Sequence, residues 1–360
     1  MLDDLVARFG DMHVSLVAGL IVGATFGVVA QRSRFCLRAA TIDFWRGSMT
    51  GRVAVWVLAF SAAVVATQAL IASGALDLSG VRTLNQRGSL SGALIGGAMF
   101  GVGMVLTRGC ASRLLVLSAN GNLRALLSGL VFAVAAQATW RGALAPLRDR
   151  LADLWTLDGN LSLDALALIG LPHGLAVPLG ALFLVVGVVI AWRVKLPAGQ
   201  AAAAAGVGLV VAATWALTSL LAAASFDPQP VKSLSFTGPS ANMLMLVLQP
   251  GGRFDFDIGL VPGVFLGSFL AAALGGDLKL EGFHDAGGMR RYIVGAVLMG
   301  FGGMLAAGCA IGAGVSGAAV FSTVSWATLF AMWAAAGITD ALIDRPAEAA
   351  TAAGAAAPAR

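Results

Sequence analysis

The stretch Val105-Leu-Thr-Arg-Gly-Cys110-Ala-Ser breaks an apolar run, and Met304-Leu-Ala-Ala-Gly-Cys309-Ala-Ile breaks another 199 positions later. At the same offset Gly96, Gly101 and Gly103 fall on Gly295, Gly300 and Gly302, so the glycine-rich approach to each cysteine is duplicated with it. The chain therefore contains an internal repeat. A third cysteine, in Gln31-Arg-Ser-Arg-Phe-Cys36, occupies another break and at an offset of 200 faces Phe236 in Val231-Lys-Ser-Leu-Ser-Phe236-Thr-Gly. Ser33 and Ser233 coincide at that offset, as do Arg32 and Lys232. Four corresponding breaks carry three thiols.

Of the 360 residues, 58% are hydrophobic and 11% charged, which reads as a polytopic membrane protein rather than a pair of soluble domains. A bilayer core of about 30 Å takes about 20 apolar residues per helix, and several segments here approach that length. The acidic opening Met1-Leu-Asp-Asp lacks the basic region of a signal peptide, so the apolar run from Val14 is expected to remain as the first helix. The net charge of +5, from 23 basic and 18 acidic residues, partly reflects topology in such a chain and gives no argument for nucleic-acid binding. Three cysteines without a CxxC pair, with three histidines, argue against a disulfide framework and against a zinc site. No cofactor or metal is expected. One buried cysteine on an apolar helix is a small hydrophobe, but three out of three in glycine- or arginine-flanked breaks point to function.

Hydropathy predicts spans near residues 14–30, 53–73, 124–140, 175–192, 200–221, 259–274 and 325–338. Shorter pieces at 90–106 and 111–118 flank Cys110, and 292–307 leads into Cys309. This organises the chain as a first transmembrane repeat (14–140), a connector with one transmembrane helix (141–199), a second repeat (200–338) and an Ala-rich, disordered tail (345–360). Discontinuous helices are tolerated at membrane depth only where freed backbone groups are buried in protein or face a wet cavity. Interrupted helices at corresponding places in two repeats point to a transporter with its site at the repeat interface. An odd number of crossings between the copies would invert the second. The expected fold is an all-α polytopic membrane protein of two inverted repeats, whose discontinuous half-membrane helices meet at a central pathway. The basic break Arg32 to Arg46 reads both as a positive-inside loop and as an anion-attracting vestibule, with Asp43 in a loop. If the Arg32–Arg52 and Arg141–Arg150 clusters share one side, that side is cytoplasmic. His173 reads as an interfacial residue and His284 as a solvated one.

A thiol is a weak donor and a soft, polarizable group, suited to holding a sulfur-bearing anion without trapping it, as conduction requires. Moving a bare anion into low dielectric costs on the order of tens of kcal/mol, against about 1 kcal/mol from one helix end. Several donors must act together. The candidates beside Cys36, Cys110 and Cys309 are Ser33, Arg34, Arg108, Gly109, Ser233, Gly308 and Gly312. A second class of function is a membrane sulfurtransferase that forms a cysteine persulfide and hands sulfur to a cytosolic TusA-like sulfur carrier. It needs a thiolate of depressed pKa, and Arg34 and Arg108 could supply the field.

Ser33-Arg34-Phe35-Cys36, Arg108-Gly109-Cys110-Ala111-Ser112, and Gly308-Cys309-Ala310-Ile311-Gly312 with Ser316-Gly317 resemble the signature breaks of the YeeE/YedE sulphur-transport family over residues 14–338. The resemblance implies a multi-pass protein of the bacterial inner membrane, with short helices dipping in from both sides. It also implies import of thiosulfate through a relay of thiols, carried over here onto Cys36, Cys110 and Cys309. Ala111 and Ala310 stand where a small polar residue often follows the cysteine, and Arg113 where glycine is frequent. These departures leave open whether the anion is thiosulfate or another sulfur or selenium species.

Overall fold

Backbone conformation at the breaks decides where the helices stop. The computed structural model describes residues 8–77, 87–157, 164–168, 172–225, 230–249, 254–282 and 286–346, with Val6, Val81 and Gly170. His284, the side chain of His173 and the tail beyond Pro346 lie outside the described residues. Helix α1 (Asp11–Ser33) ends where Arg34 turns left-handed at φ 55°, and an extended Cys36 restarts the chain as α2 (Leu37–Trp45). The break is therefore three residues long, not the fifteen-residue loop expected from its arginines, because Leu37, Ala40, Thr41, Ile42 and Asp43 are buried along a short helix.

Next come α3 (Gly51–Ala72), α4 (Leu90–Leu106), a break in which Arg108 has φ 58°, α5 (Ala111–Ala119) and α6 (Leu123–Trp140). The Asn122 side chain caps α6 by accepting from the Ala125 N–H at 2.8 Å. The connector contributes α7 (Ala145–Ala152) and α8 (Ala176–Arg193). The remainder is α9 (Ala198–Ala224), α10 (Thr237–Leu248), α11 (Phe256–Gly275), α12 (Ala286–Leu305), a π turn at Gly312–Gly317 and α13 (Thr323–Thr339), which runs on as a π turn over Asp340–Asp344. Among the described residues, eight stretches are long and apolar enough to cross a bilayer. The chain is an all-α, multi-pass membrane protein. Its described sheet is a two-residue ribbon, Gly88–Ser89 against Thr156–Leu157.

Packing exchanges the two ends of the sequence. Helix α1 lies on α11 and α9 on α3; α4 lies on α13 and α12 on α6; and α4 crosses α12. A Cβ added to Gly96 would come within 2.5 Å of the Gly302 carbonyl, and one added to Gly103 within 2.5 Å of the Gly295 carbonyl. Displacement by 199 turns each of these contacts into the other. The closest approach is between α1 and α11. Gly19, Gly23 and Gly27 press on the carbonyls of Phe256, Leu260 and Val264, while Gly259, Gly263 and Gly267 press on those of Leu16, Leu20 and Ala24. Small residues at every fourth position let membrane helices touch backbone to backbone, where packing rather than hydrophobicity drives association.

One end of the molecule gathers the close of α1, the close of α11 and the turn after α5. Arg34 faces Asp277 at 3.9 Å, and the turn 120–122 pairs with 279–281 through Lys279 N–H to Asn120 O and Glu281 N–H to Gly121 O, both 3.1 Å. Gln200 donates to the Ser33 carbonyl at 3.0 Å, which brings the start of α9 there too. Helix α6 starts at this end and carries Trp140 about 27 Å away at 1.5 Å per residue. The Arg32–Arg52 and Arg141–Arg150 clusters consequently lie at opposite ends, and the condition for assigning a cytoplasmic side from both is not met.

Acidic groups within the spans are paired. Asp43, expected in a loop, is buried on α2, where it accepts from the Thr50 hydroxyl and pairs with Arg52 at 2.8 Å. Asp344 joins Arg38 at 3.2 Å to Arg291 at 2.6 Å. Asp340, fully buried, takes Arg46 at 2.6 Å and Arg345 at 3.2 Å. Removing its carboxylate leaves two guanidiniums facing one another. Breaking a buried pair costs about 3–5 kcal/mol, and the partial exposure of both arginines favours the lower figure. Asp340→Ala is expected to lower the thermal midpoint of the detergent-solubilised protein clearly. Arg345→Ala, at the more exposed partner, should move it little.

Candidate functional site

The three cysteines share a local geometry. Each stands two residues after a non-glycine residue in the left-handed region: Arg34 at φ 55°, Arg108 at φ 58° and Ala307 at φ 57°. Such a conformation costs about 1–3 kcal/mol per residue, and it turns the chain sharply enough to start a new helical segment just beyond each thiol. Cys36 is the N-cap of α2 and Cys110 the N-cap of α5.

These turns bring two of the thiols together. Cys36 and Cys110 lie close enough for their thiols to interact, and the Ser112 hydroxyl is 3.4 Å from the Cys110 sulfur. Cys110 is fully buried, Cys36 partly. The guanidiniums of Arg113 and Arg38 are near enough for their charge to act on Cys36. Arg38 pairs with Asp344 through Nη2, although its Nε has no partner among the described residues; Arg113 has no ion pair among them, and its Nη1 is buried without a hydrogen-bond partner. A polar cavity of about 200 Å³ adjoins Arg113, with Gln31, Arg34, Asn120, Asp277 and Lys279 also among its walls; neither thiol lines it.

Cys309 is held differently. Its sulfur accepts from the backbone N–H groups of Phe236 at 3.3 Å and Gly312 at 3.4 Å, with the Ser235 hydroxyl at 4.0 Å. Since Cys36 and Cys110 fall on Phe236 and Cys309 at the repeat offset, the thiol pair of one half corresponds to a thiol and a phenylalanine in the other. Helix α12 ends level with Gly92 of α4, whose added Cβ would meet the Leu305 carbonyl at 2.7 Å. From there to Leu106 is roughly 20 Å of helix. That depth is filled by Phe26, Phe100, Met104, Phe236 and Met299, none more than 1% exposed. Cys309 is thus set apart from the other two thiols by an apolar layer.

The supporting candidates divide. The Ser33 hydroxyl bonds to the Ala30 carbonyl at 3.4 Å and that of Ser233 to the Val211 carbonyl at 2.7 Å, so both are spent on backbone. Arg34 and Arg108 are exposed. Gly308 and Gly312 are sterically required: an added Cβ would lie 2.7 Å from Ala313 N or 2.5 Å from Ser235 Oγ. Gly109 has no neighbour nearer than 3.4 Å. Sequence reasoning missed the Arg38–Asp344–Arg291 cluster and the bond from Asn120 to Gln31 at 2.8 Å. The only advance signal for the latter was the polar turn Asn120-Gly-Asn122.

The sulphur-transport family profile matches residues 32–338, from the last turn of α1 almost to the end of α13, taking in all three cysteines and both glycine runs. The chain belongs to the sulphur-transport family. Thiosulfate transporter TsuA of Escherichia coli strain K12 is 27% identical over 373 aligned positions, covering 95% of this chain and 99% of the relative. Thiosulfate transporter TsuA of Spirochaeta thermophila is 28% identical over 330 positions, covering 86% and 93%. The part of the sulphur-transport match between α1 and α6 contains the thiol pair and most walls of the polar cavity, and the part after α9 contains Cys309.

Proposed function

We propose that this chain imports thiosulfate, or a closely related sulfur-containing anion, across the bacterial inner membrane through a relay formed by Cys36, Cys110 and Cys309. The observation that carries the reading is the proximity of the Cys36 and Cys110 thiols to each other and to Arg113, which lines a polar cavity, in a chain whose relatives are named thiosulfate transporters. Two soft S–H donors within reach of each other can share an anion and pass it on, and neither binds strongly enough to retain it. Arg34 and Arg108 lower the cost of bringing charge into the protein, while Gly109 and Gly308, whose N–H groups already donate to the Met104 and Gly303 carbonyls, and Gly312, whose N–H donates to the Cys309 sulfur, act by fixing the backbone around the thiols. Ser33 and Ser233 act by fixing the shape of their breaks. Passage to Cys309 requires the Phe26–Phe236 layer to part.

In this reading residues 14–140 and 200–338 are repeats joined by a connector over 141–199. The first repeat crosses with α1, α3, α4 continued by α5, and α6, and the connector adds α8. Five crossings, an odd number, support an inverted second copy.

Uptake of labelled thiosulfate into proteoliposomes tests the proposal. The expected result is uptake well above protein-free vesicles, displaced more effectively by unlabelled thiosulfate than by sulfate. Uptake equal to that of empty vesicles rejects it. The paired thiols with Arg38 and Arg113 nearby also favour a second reading, a membrane sulfurtransferase. There a cysteine thiolate attacks the sulfane sulfur of thiosulfate, the S–S bond breaks, sulfite leaves, and the outer sulfur of the resulting cysteine persulfide passes to a thiol of a cytosolic TusA-like carrier, which regenerates the cysteine. Intact-mass measurement after thiosulfate treatment separates the two: a stable gain of one sulfur favours the enzyme, an unchanged mass the transporter.

A further inference from the structure

The carboxylates lining the polar cavity are already engaged. Asp277 accepts from Gln31 at 3.4 Å and faces Arg34 at 3.9 Å, and Glu281 is bonded by Asn122. Arg113 is different. Among the described residues no carboxylate lies within ion-pair distance of it, and its Nη1 is shielded from solvent with nothing to donate to. It sits in the first turn of α5, three residues after Cys110, lines the cavity and reaches close enough to act on Cys36. An acceptor of the same wall, Oδ1 of Asn120, is also buried without a partner. Leaving a cationic donor desolvated and unsatisfied is costly, and a guanidinium presents a planar fork that matches two oxygens of an oxyanion.

We infer that Arg113 is the specificity-determining residue of this cavity, receiving a divalent oxyanion at its inner end and presenting it to the Cys36–Cys110 pair. The inference rests on the transport reading and adds the charge class the cavity selects. Coulomb attraction to a fixed cation doubles from a monovalent to a divalent ligand, so Arg113 separates anions by charge where the thiols separate them by softness. Arg34 contributes less, because it is 70% exposed and neutralised by Asp277.

The test uses the full chain in proteoliposomes with Arg113→Gln and Arg113→Lys. The Gln variant is expected to raise the KM for thiosulfate about tenfold with little change in maximal rate, the size of one fixed charge at partly screened range. It should weaken inhibition by divalent sulfate about tenfold and inhibition by monovalent thiocyanate only about threefold, half the free energy, and the Lys variant should restore most of both. A second readout does not depend on transport: the rate at which Cys36 is modified by an anionic methanethiosulfonate relative to a cationic one, read by peptide mass. That ratio should fall about tenfold in Arg113→Gln and recover in Arg113→Lys. If the Gln variant fails to accumulate, Arg113→Met is the second charge-free variant, since it keeps the carbon stem that packs beside Gly109. Absence of thiosulfate uptake in the unmodified protein would reject the transport reading, and the reagent ratio would still decide the role of Arg113. An unchanged ratio, or an equal loss of sulfate and thiocyanate inhibition, overturns the proposal.

Discussion

Replacing Cys110 with alanine is expected to abolish growth on thiosulfate as sole sulfur source and to cut proteoliposome uptake by about tenfold or more. The thiol it removes is fully buried, lies 3.4 Å from the Ser112 hydroxyl and sits near the Cys36 thiol. A stranded buried polar partner costs about 1–3 kcal/mol, and each 1.4 kcal/mol is about tenfold in affinity. Cys36→Ala should behave alike. Cys309→Ala carries a further penalty, because it leaves the Phe236 and Gly312 N–H groups without their sulfur acceptor, so protein level and transport should fall together. Cys309→Ser keeps an acceptor and separates the two effects. Growth of all three alanine variants at the unmodified rate would dismiss the relay.

The second large effect is on assembly. At Gly23 an added Cβ would collide with the Leu260 carbonyl and lie 2.9 Å from Val264 N and 3.1 Å from Gly263 Cα, all backbone atoms that cannot rotate away. Gly23→Leu must therefore separate α1 from α11 along the whole glycine face. Overpacking alone costs about 1–3 kcal/mol, and in lipid no hydrophobic gain offsets the lost contact. Gly23→Leu is expected to give no monodisperse species on size-exclusion chromatography. Gly129→Leu is the control, since nothing lies within 4 Å of the added carbon. A monodisperse Gly23→Leu protein with unchanged thermal stability would show that the close approach is not a constraint.

Much of the fold was legible because apolar length and the 199-residue offset are both written in the order of residues. Helices α3, α6 and α8 fall within two residues of the hydropathy limits. Helix α2 was not legible, since its arginines and Asp43 look like a loop until Arg38 is seen bonded to Asp344 more than three hundred positions away. The α1–α11 contact is written in Gly19, Gly23 and Gly27 against Gly259, Gly263 and Gly267, a four-residue spacing that does not follow the 199-residue offset. The proximity of Cys36 and Cys110 is a different case. No spacing rule joins two thiols 74 positions apart, and only the left-handed turns at Arg34 and Arg108 aim them at each other.

The interlocked helices limit how such a molecule can work. Its broadest packing surfaces, α1 on α11, α9 on α3, α4 on α12 and α13, and α12 on α6, all join the first half of the sequence to the second. A carrier that rocks one half against the other needs a seam, and here the seam would run through glycines already in backbone contact. On the proposed transport reading, opening and closing then falls to individual rotamers, foremost the rings of Phe26 and Phe236 with centroids 5.2 Å apart. On that reading, a frame that stays still while a pair of rings swings would work as a valve rather than a pump.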